Sequence, residues 1–354
     1  MEINNGIGTI HIVLTTYCNV GCKGCYQEEK EELQNRSDFI LDDSKKNYIY
    51  ELYHKYKNES KRITISFFGG EPLLKTNTMI NIIKYLKENN LEPDIIGFPT
   101  SGGPNLNLID SGFKVLDYIF KCFPKASINM SLSYDGHINK DTRNISSEKV
   151  KESFQKLYSK EKYYNKKLSP DLIMNLIPQI IEEDYFILCH KDIKNITNKL
   201  PTFRIPHILN FNSNLDSKIL SIALKKYLEW LPKNLDEFPK LLTDYIDRLF
   251  LKNPEINEEF NWCQAGVNHF ALSNIPSKSI TECEFLNKDS LSLYNQMLNE
   301  CINCPIKNYC SKPCLKSIEI SIAQFKRHCT IRKIIFNEVR NYFLDNYKSL
   351  KPKY

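Results

Sequence analysis

The chain has 354 residues, 42% of them hydrophobic and 25% charged, which is enough for two or three domains with at least one hydrophobic core. The formal net charge of +6 is spread thinly over a large surface, so composition alone does not indicate a nucleic-acid-binding protein. The sequence shows neither a signal peptide nor a run of about 18 apolar residues, so we expect a cytoplasmic protein without a transmembrane helix.

Short β-rich runs alternate with longer helical runs along the first two thirds of the chain. The predicted strands cover residues 9–15, 62–68, 94–98, 127–133, 172–177 and 203–209. One predicted helix is capped by Asp42-Asp43-Ser44, and others cover 78–87, 112–123, 147–162 and 217–231. Strands separated by helices of this length form a parallel sheet with right-handed crossovers, either an open sheet or a barrel.

An unusual loop follows each of the first four predicted strands. In chain order the loops contain Cys18-x3-Cys22-x2-Cys25, Gly69-Gly70-Glu71-Pro72, Thr100-Ser101-Gly102-Gly103 and Ser133-Tyr134-Asp135-Gly136. The carboxyl ends of parallel strands lie at one edge of an open sheet or barrel, and chemistry collects there. We therefore expect the four loops to converge on one rim.

The 12 cysteines are the most unusual feature of the composition. Structural disulfides are disfavoured in a reducing cytosol, so clustered cysteines are predicted to be metal ligands or redox groups. Cys122 and Cys189 stand apart from the clusters and are predicted to be packed as small buried hydrophobes. Three cysteines lie in the loop after the first strand, and seven more lie towards the C-terminus, namely Cys263, Cys283, Cys301, Cys304, Cys310, Cys314 and Cys329.

The first cluster offers three thiols in one tight loop, Cys18, Cys22 and Cys25. A structural zinc site usually has four protein ligands, whereas three thiolates on a four-iron cluster leave one iron free to bind another molecule. A zinc loop that is completed by His11 or by a distant cysteine is the alternative.

The run TYCNVGCKGCY over 16–26 resembles the signature of radical S-adenosylmethionine (SAM) enzymes, including the aromatic residue after the third cysteine. In that family the amino and carboxylate groups of SAM chelate the open iron. An electron from the cluster then cleaves SAM and releases a 5′-deoxyadenosyl radical, which abstracts hydrogen from the substrate. The resemblance implies that Cys18, Cys22 and Cys25 hold a 4Fe-4S cluster and that the α/β fold is a partial (β/α)6 TIM-type barrel.

The other rim loops resemble the SAM-binding motifs of the same family. The loop 69–72 resembles the GGEP motif that receives the ammonium of SAM, since glycines let a backbone approach a ligand and a carboxylate suits a cation. The loop 100–102 resembles a Thr-Asn-Gly element with serine in the asparagine place, and an ordinary glycine-rich turn is the alternative. The run Ser133-x-Asp135-Gly136 and the later Arg143 resemble elements that contact the ribose and the carboxylate of SAM in peptide-acting members. Arg143 follows the run at a slightly shorter separation in sequence than is usual in the family. The implied SAM-binding residues are Gly69, Gly70, Glu71, Pro72, Ser101, Ser133, Asp135 and Arg143.

The seven C-terminal cysteines are too many for one tetrahedral ion and one short of two four-cysteine sites. A four-cysteine zinc knuckle over 301–314 is one interpretation of part of the set. The whole set resembles the SPASM extension of radical SAM enzymes, which holds two auxiliary clusters and brings the implied total to three 4Fe-4S clusters. The resemblance assigns Cys263, Cys283 and Cys314 to auxiliary cluster I, and Cys301, Cys304, Cys310 and Cys329 to auxiliary cluster II.

This chain departs from the SPASM pattern at two positions. Lys278 stands where the family often has glycine, which implies an altered turn. Auxiliary cluster I has three evident thiolate ligands. The candidates for its fourth ligand are His269, Cys189 and a substrate thiolate that binds an open iron. An ordinary packing or surface histidine is the alternative for His269.

Relatives with two auxiliary clusters mostly act on peptides or proteins. The resemblance therefore implies a maturase of a ribosomally synthesised peptide that forms a thioether or C–C crosslink. Glu284 matches an aspartate proposed as the base in the sulfatase-maturating branch, and a solvated glutamate is the alternative. An anaerobic sulfatase-maturating enzyme that generates formylglycine is the second interpretation. A non-catalytic zinc protein or electron carrier is a weaker one, and the modest charge does not favour a nucleic-acid substrate.

The resemblance covers nearly the whole chain. It implies a radical SAM barrel over 1–232, a helical connection over 233–261, and a SPASM domain with a C-terminal helix over 262–354. The 17 residues before Cys18 leave no room for an extra leader-peptide-binding domain, so we expect a separate leader-binding protein, recognition of the leader by the barrel, or a substrate that carries no leader. A reductant such as flavodoxin or ferredoxin is the other implied partner.

Overall fold

A computed structural model of the chain describes residues 7–22, 38–59, 61–102, 107–161, 163–164, 168–175, 182–197, 202–204, 217–234, 269–272, 280–281, 303–306 and 322–346. The chain divides into two compact units. The first consists of Met1–Ile173 and Gln264–Glu284, and the second of Met174–Cys263 and Phe285–Tyr354. The predicted domain limits at 232 and 261 remain predictions.

Strands and helices alternate through the first part of the chain. The strands are β1 (Ile7–Thr15), β2 (Arg62–Gly69), β3 (Ile95–Thr100), β4 (Ser127–Ser133), β5 (Leu168–Asn175), β6 (Thr202–Arg204), β7 (His269–Leu272) and β8 (Ile280–Thr281). The helices are α1 (Asp43–Asn58), α2 (Thr76–Glu88), α3 (Asn107–Cys122), α4 (Asn139–Arg143), α5 (Ser147–Lys160), α6 (Tyr185–Thr197), α7 (Ser217–Asn234) and α8 (Ile322–Asn346).

The first unit is built on a parallel sheet in which β1 lies between β2 and β7. The strand order within this unit is β5-β4-β3-β2-β1-β7-β8, and β7 with β8 is the antiparallel pair. Across the sheet, β1 to β5 follow one another in chain order, as strands do in a (β/α) barrel. In a doubly wound open sheet, the order of the strands across the sheet reverses part-way. The predicted parallel α/β sheet is confirmed, and its strand order favours the barrel over the open sheet.

The hydrophobic core lies between this sheet and the helices that cover it. β1 is buried along almost its whole length, as expected for a strand inside a parallel sheet. Helix α2 buries Met79, Ile82, Ile83 and Leu86, which form the apolar face that the 3.6-residue periodicity predicts. Asp42 caps α1 as predicted, because its side chain accepts a hydrogen bond from the Lys45 amide at 2.9 Å.

Two parts of the sheet differ from the sequence prediction. β5 begins at Leu168, whereas the predicted strand begins at 172. The prediction begins too late because Pro170 and Asp171 are residue types that usually interrupt strands. β7 was not predicted, since four residues are too few to show a strand period. Its pairing with β1 joins residues that are far apart in sequence, and local patterns do not carry that information.

Within the residues that the structure describes, the second unit has three helices that pack together, with α7 in contact with both α6 and α8. Cys189 is buried in α6, and Cys122 of the first unit is buried at the end of α3, so both are packed thiols as predicted. His190 is fully buried, and its Nδ1 lies 2.7 Å from the hydroxyl of Tyr227. Among the helices that the structure describes, none combines the length and apolarity needed to cross a bilayer.

His190 makes the stability of this helical unit sensitive to acid. Burial, aided by the charge of Lys194, lowers the pKa of its imidazole from 6.5 to about 4. As the pH falls, the unfolded chain takes up the proton first, so stability is lost between about pH 6.5 and pH 4, by at most about 3 kcal/mol. We expect the thermal midpoint of the wild type to fall more steeply from about pH 7 to pH 5 than that of His190→Asn.

The matched control is His54→Asn, which removes a half-buried histidine of α1. It measures what the loss of a histidine outside the helical unit does to the pH slope. Equal slopes for the wild type and His190→Asn would contradict the assignment.

Candidate functional site

The loops after β1 and β2 touch each other through their backbones. The Gly70 amide donates to the Thr15 carbonyl at 2.8 Å, and the Glu71 amide donates to the Tyr17 carbonyl at 3.0 Å. Cys18 follows directly after Tyr17, so the second of these hydrogen bonds fixes the backbone next to the first predicted cluster ligand. The two loops therefore form one continuous part of the rim.

Gly69 and Gly70 make this contact possible. Gly69 has φ +131°, and a Cβ there would lie 2.3 Å from the Thr15 carbonyl oxygen. A Cβ on Gly70 would lie 2.1 Å from the Tyr17 carbonyl oxygen and 3.0 Å from the Cys18 nitrogen. The sequence indicated that these glycines allow close approach to a ligand, and the structure shows that they also allow close approach to the cysteine loop itself.

Asp38 provides a second support for the end of β1, which the sequence did not indicate. It forms an isolated antiparallel bridge with Thr15, whose hydroxyl donates to Asp38 Oδ1 at 2.9 Å. The same hydroxyl accepts a hydrogen bond from the Tyr17 amide at 3.1 Å. Lys75 pairs with Asp38 Oδ2 at 2.5 Å, and its hydrogen bond holds the pKa of Asp38 below its usual value.

Glu71 joins the loop after β2 to the loop after β3. Its carboxylate is buried and accepts hydrogen bonds on both oxygens. Oε1 accepts from the Thr100 hydroxyl at 2.7 Å and from the Leu73 amide at 3.2 Å. Oε2 accepts from the amide and the hydroxyl of Ser101, at 2.9 and 2.6 Å. An ionised carboxylate has about four lone-pair sites, so the protein itself satisfies Glu71 in this arrangement. The predicted contact of Glu71 with the SAM ammonium remains a prediction.

Asp135 and Arg143 form a buried ion pair after β4. The Arg143 Nε lies 2.7 Å from Asp135 Oδ2, and its Nη2 donates to Oδ1 at 3.1 Å. Cys22 lies close enough to the Arg143 guanidinium to act on its pKa. Burial disfavours the cation, but the charges of Asp135 and Cys22 outweigh it and raise the pKa of Arg143. The structure thus brings the loop after β4 to the cysteine loop.

The structure also describes the burial of the other predicted rim residues. Pro72 is buried at the start of a short 3₁₀ turn, Pro72–Lys75. Ser101 and Ser133 are half-buried, and Ser133 is the last residue of β4. The side chains of Cys18 and Cys22 are half-buried.

Many of the predicted ligands lie outside the described residues. These are Cys25, Cys263, Cys283, Cys301, Cys310 and Cys314, together with Glu284 and Lys278. The backbone of His269 lies in β7 and pairs with Thr9 of β1. In the part of the chain that the structure describes, no three His, Cys, Asp or Glu residues form a metal-binding group.

The described side chains fit an iron-sulfur cluster at this loop. Cys18 and Cys22 present two thiols from one loop at the carboxyl end of β1, where Cys25 would add a third. A cation beside Cys22 favours the thiolate form that ligates iron. The contact of this loop with Gly69 and Gly70 holds it at the rim, where a cofactor can reach it.

Comparisons with known proteins agree with this geometry. Residues 4–119 match the family described as 4Fe-4S single cluster domain. The radical SAM cyclopropyl synthase TigE of Paramaledivibacter caminithermalis is 23% identical over 353 residues, covering 90% of this chain and 70% of that protein. The solved structure of native anSMEcpe with bound AdoMet has a TM-score of 0.63 at 16% identity and covers 97% of this chain and 99% of its own.

By these matches the chain is similar to radical SAM enzymes. The sequence matches support a 4Fe-4S cluster domain. The solved structure supports the α/β fold with its parallel sheet.

Gly70→Ala tests the contact between the first two rim loops. The added Cβ would overlap the Tyr17 carbonyl oxygen, so the backbone next to Cys18 must shift. We expect a loss of stability on the order of 2 kcal/mol and less iron bound per chain after anaerobic reconstitution.

Gly97→Ala in β3 is the matched control, because its Cβ would lie 3.5 Å from the nearest atom, the Asn129 carbonyl oxygen. Its iron content should stay at the wild-type level. Wild-type iron content in both variants would show that the contact does not position the cysteine loop.

Proposed function

We propose that this chain is a radical SAM/SPASM maturase that modifies a ribosomally synthesised peptide by hydrogen abstraction and forms a thioether or C–C crosslink. One observation carries the proposal. The loop with Cys18 and Cys22 lies against the loop 69–72, which resembles a SAM-binding motif, and Arg143 lies beside Cys22. This arrangement supports the proposal that cluster ligands and cofactor-binding groups share one rim of a parallel sheet.

Cys18, Cys22 and Cys25 are the proposed ligands of the SAM cluster. When bound, the cluster supplies the electron that cleaves SAM to the 5′-deoxyadenosyl radical, which takes hydrogen from the substrate. The chain's own contribution is to hold the thiols in place. The Tyr17 carbonyl accepts from the loop after β2, and the Arg143 cation stabilises the thiolate of Cys22.

The proposed SAM contacts come from the loops after β2, β3 and β4. Gly69 and Gly70 lie against the backbone of the cysteine loop, and Ser101 and Ser133 are half-buried hydroxyl groups at strand ends. A guanidinium carries five N–H donors, so the contacts of Arg143 with Asp135 and Cys22 leave donors for the cofactor carboxylate. The proposed SAM-binding residues are Gly69, Gly70, Glu71, Pro72, Ser101, Ser133, Asp135 and Arg143.

The seven C-terminal cysteines are the proposed ligands of two auxiliary 4Fe-4S clusters in a SPASM domain over 262–354. The side chains of Cys304 and Cys329 are half-buried. They differ from Cys122 and Cys189, which are buried in the packing of helices. A partly exposed thiol is accessible to iron, whereas a packed thiol behaves as a small hydrophobe, so the difference supports ligand roles for Cys304 and Cys329.

The proposed substrate is a peptide. The curated relative is a cyclopropyl synthase, and a cyclopropyl ring closes only when a new C–C bond forms. This favours C–C bond formation over a thioether. Glu284 is the proposed base that takes a proton from the substrate. The proposed partners are a separate leader-binding protein and a flavodoxin or ferredoxin that supplies electrons in the cytoplasm.

SAM cleavage tests the cluster and cofactor assignments. With dithionite and SAM under anaerobic conditions, the reconstituted wild type is expected to release 5′-deoxyadenosine. Cys22→Ala should reduce this release to background because it removes a cluster ligand. Cys122→Ala, which changes a packed thiol of α3, is the matched control and should retain it. Zinc in place of iron and no 5′-deoxyadenosine from the wild type would contradict the proposal.

The same assay separates the possible products when a short cysteine-rich or repeat-rich peptide encoded beside this gene is added. A crosslink removes two hydrogens and leaves no group that carbonyl reagents trap. A trapped aldehyde would instead identify a formylglycine-generating enzyme.

A further inference from the structure

We propose that Glu71 is a positioning residue for SAM binding, which acts by holding Thr100 and Ser101 and so places the loop after β3 at the cofactor site. This inference rests on the proposed function, because it needs SAM to bind at this rim. It specifies how Glu71, one of the proposed SAM-binding residues, serves the cofactor, namely through the loop after β3 instead of through the ammonium of SAM.

Protein groups fill the hydrogen-bonding capacity of the Glu71 carboxylate. Glu71 is 1% exposed, and each of its two oxygens accepts two hydrogen bonds. An ionised carboxylate has about four lone-pair sites, so an ammonium ion would have to displace one of these donors. The geometry is therefore that of a carboxylate that binds protein groups.

Three of the four donors belong to the loop after β3. The Thr100 hydroxyl donates to Oε1 at 2.7 Å, and the amide and hydroxyl of Ser101 donate to Oε2 at 2.9 and 2.6 Å. Thr100 is the last residue of β3 and is buried. Hydrogen bonds to a charged acceptor are stronger than those between neutral groups. Glu71 therefore holds the loop at the point where it leaves the sheet.

The Thr100 hydroxyl extends this constraint to Gly102. It accepts a hydrogen bond from the Gly102 amide at 3.2 Å while it donates to Glu71. A hydroxyl has one proton and two lone pairs, so donation to Glu71 orients the lone pairs that the Gly102 amide uses. Gly102 has φ +75°, which glycine adopts at little steric cost. The carboxylate thus supports the conformation of the whole run 100–102.

Ser101 is the residue through which this loop serves the cofactor. Its hydroxyl proton is directed at Glu71, so its oxygen acts as an acceptor towards any other group. The ammonium and the ribose hydroxyls of SAM are hydrogen-bond donors, and a donor fits an acceptor oxygen. Glu71 therefore sets both the position and the hydrogen-bonding polarity of Ser101.

The test measures the dissociation constant of SAM by anaerobic equilibrium dialysis against the reconstituted holoenzyme. Glu71→Gln keeps the size of the side chain but replaces one acceptor oxygen by an amide donor. Thr100→Val removes the hydroxyl of a buried residue that is not a proposed SAM contact. Each is expected to bind SAM about tenfold more weakly, since each removes a buried hydrogen bond to a charged group.

Two control variants accompany this measurement. Thr100→Ser keeps the hydroxyl and is expected to retain wild-type affinity. Thr9→Val changes a buried threonine near the amino end of β1, away from the rim, and is also expected to retain it. If Glu71→Gln does not fold, the comparison of Thr100→Val with Thr100→Ser decides the test, because both variants keep the carboxylate.

A SAM analogue without the α-amino group separates positioning from direct contact. If Glu71 acts through the loop, Glu71→Gln weakens the binding of the analogue by the same factor as it weakens the binding of SAM. The double variant Glu71→Gln with Thr100→Val should bind SAM about as weakly as either single variant, because both substitutions break the same arrangement.

Hydrogen–deuterium exchange of the holoenzyme without SAM provides a measurement that does not depend on the cofactor. The amides of Ser101 and Gly102 are expected to exchange about tenfold faster in Glu71→Gln and in Thr100→Val. The amides of β1 should keep their wild-type rates in both variants. This difference distinguishes a local change in the loop from general destabilisation.

The outcomes separate the inference from the proposed function. A wild-type holoenzyme that binds no SAM would overturn the proposed function. Normal binding by the wild type, with unchanged affinity in Glu71→Gln and Thr100→Val, would overturn the inference alone. A Glu71→Gln defect that disappears with the analogue would also overturn it, because Glu71 would then contact the ammonium directly. Unchanged exchange of the Ser101 amide in both variants would overturn it as well.

Discussion

The loops after β1 and β2 lie so close together that neither Gly69 nor Gly70 has space for a Cβ atom. Two backbone hydrogen bonds cross this contact, one to Thr15 and one to Tyr17. The contact fixes the direction in which the cysteine loop leaves the sheet, so it decides where the thiols lie. The other rim loops can act on a cluster only because this loop is held next to them.

Buried charges connect the remaining loops to this contact. Glu71 accepts four hydrogen bonds from protein groups and ties the loop after β2 to the loop after β3. Asp135 pairs with Arg143, which reaches Cys22 and so ties the loop after β4 to the cysteine loop. An unpaired buried charge costs several kcal/mol, so each of these groups strongly favours the one arrangement in which its partners are present.

The sequence predicted the parts of the molecule that depend on local pattern. The strands β1 to β4 and the buried face of α2 follow from the spacing of hydrophobic residues. The convergence of β1 to β4 at one edge follows from the geometry of parallel sheets. The pairing of β7 with β1, the support of Thr15 by Asp38 and the contact of Arg143 with Cys22 could not be predicted. They depend on distances between residues that are remote in sequence and on side-chain conformation.

The central claim is that the three-cysteine loop on this rim holds a cluster that binds SAM. EPR spectra of the reduced holoenzyme, recorded with and without SAM, test it most directly when compared with a Cys18→Ala, Cys22→Ala, Cys25→Ala triple variant. We expect SAM to change one signal in the wild type and to change none in the triple variant. A SAM-dependent change of the same size in the triple variant would contradict the claim, because the cofactor would then bind a cluster elsewhere.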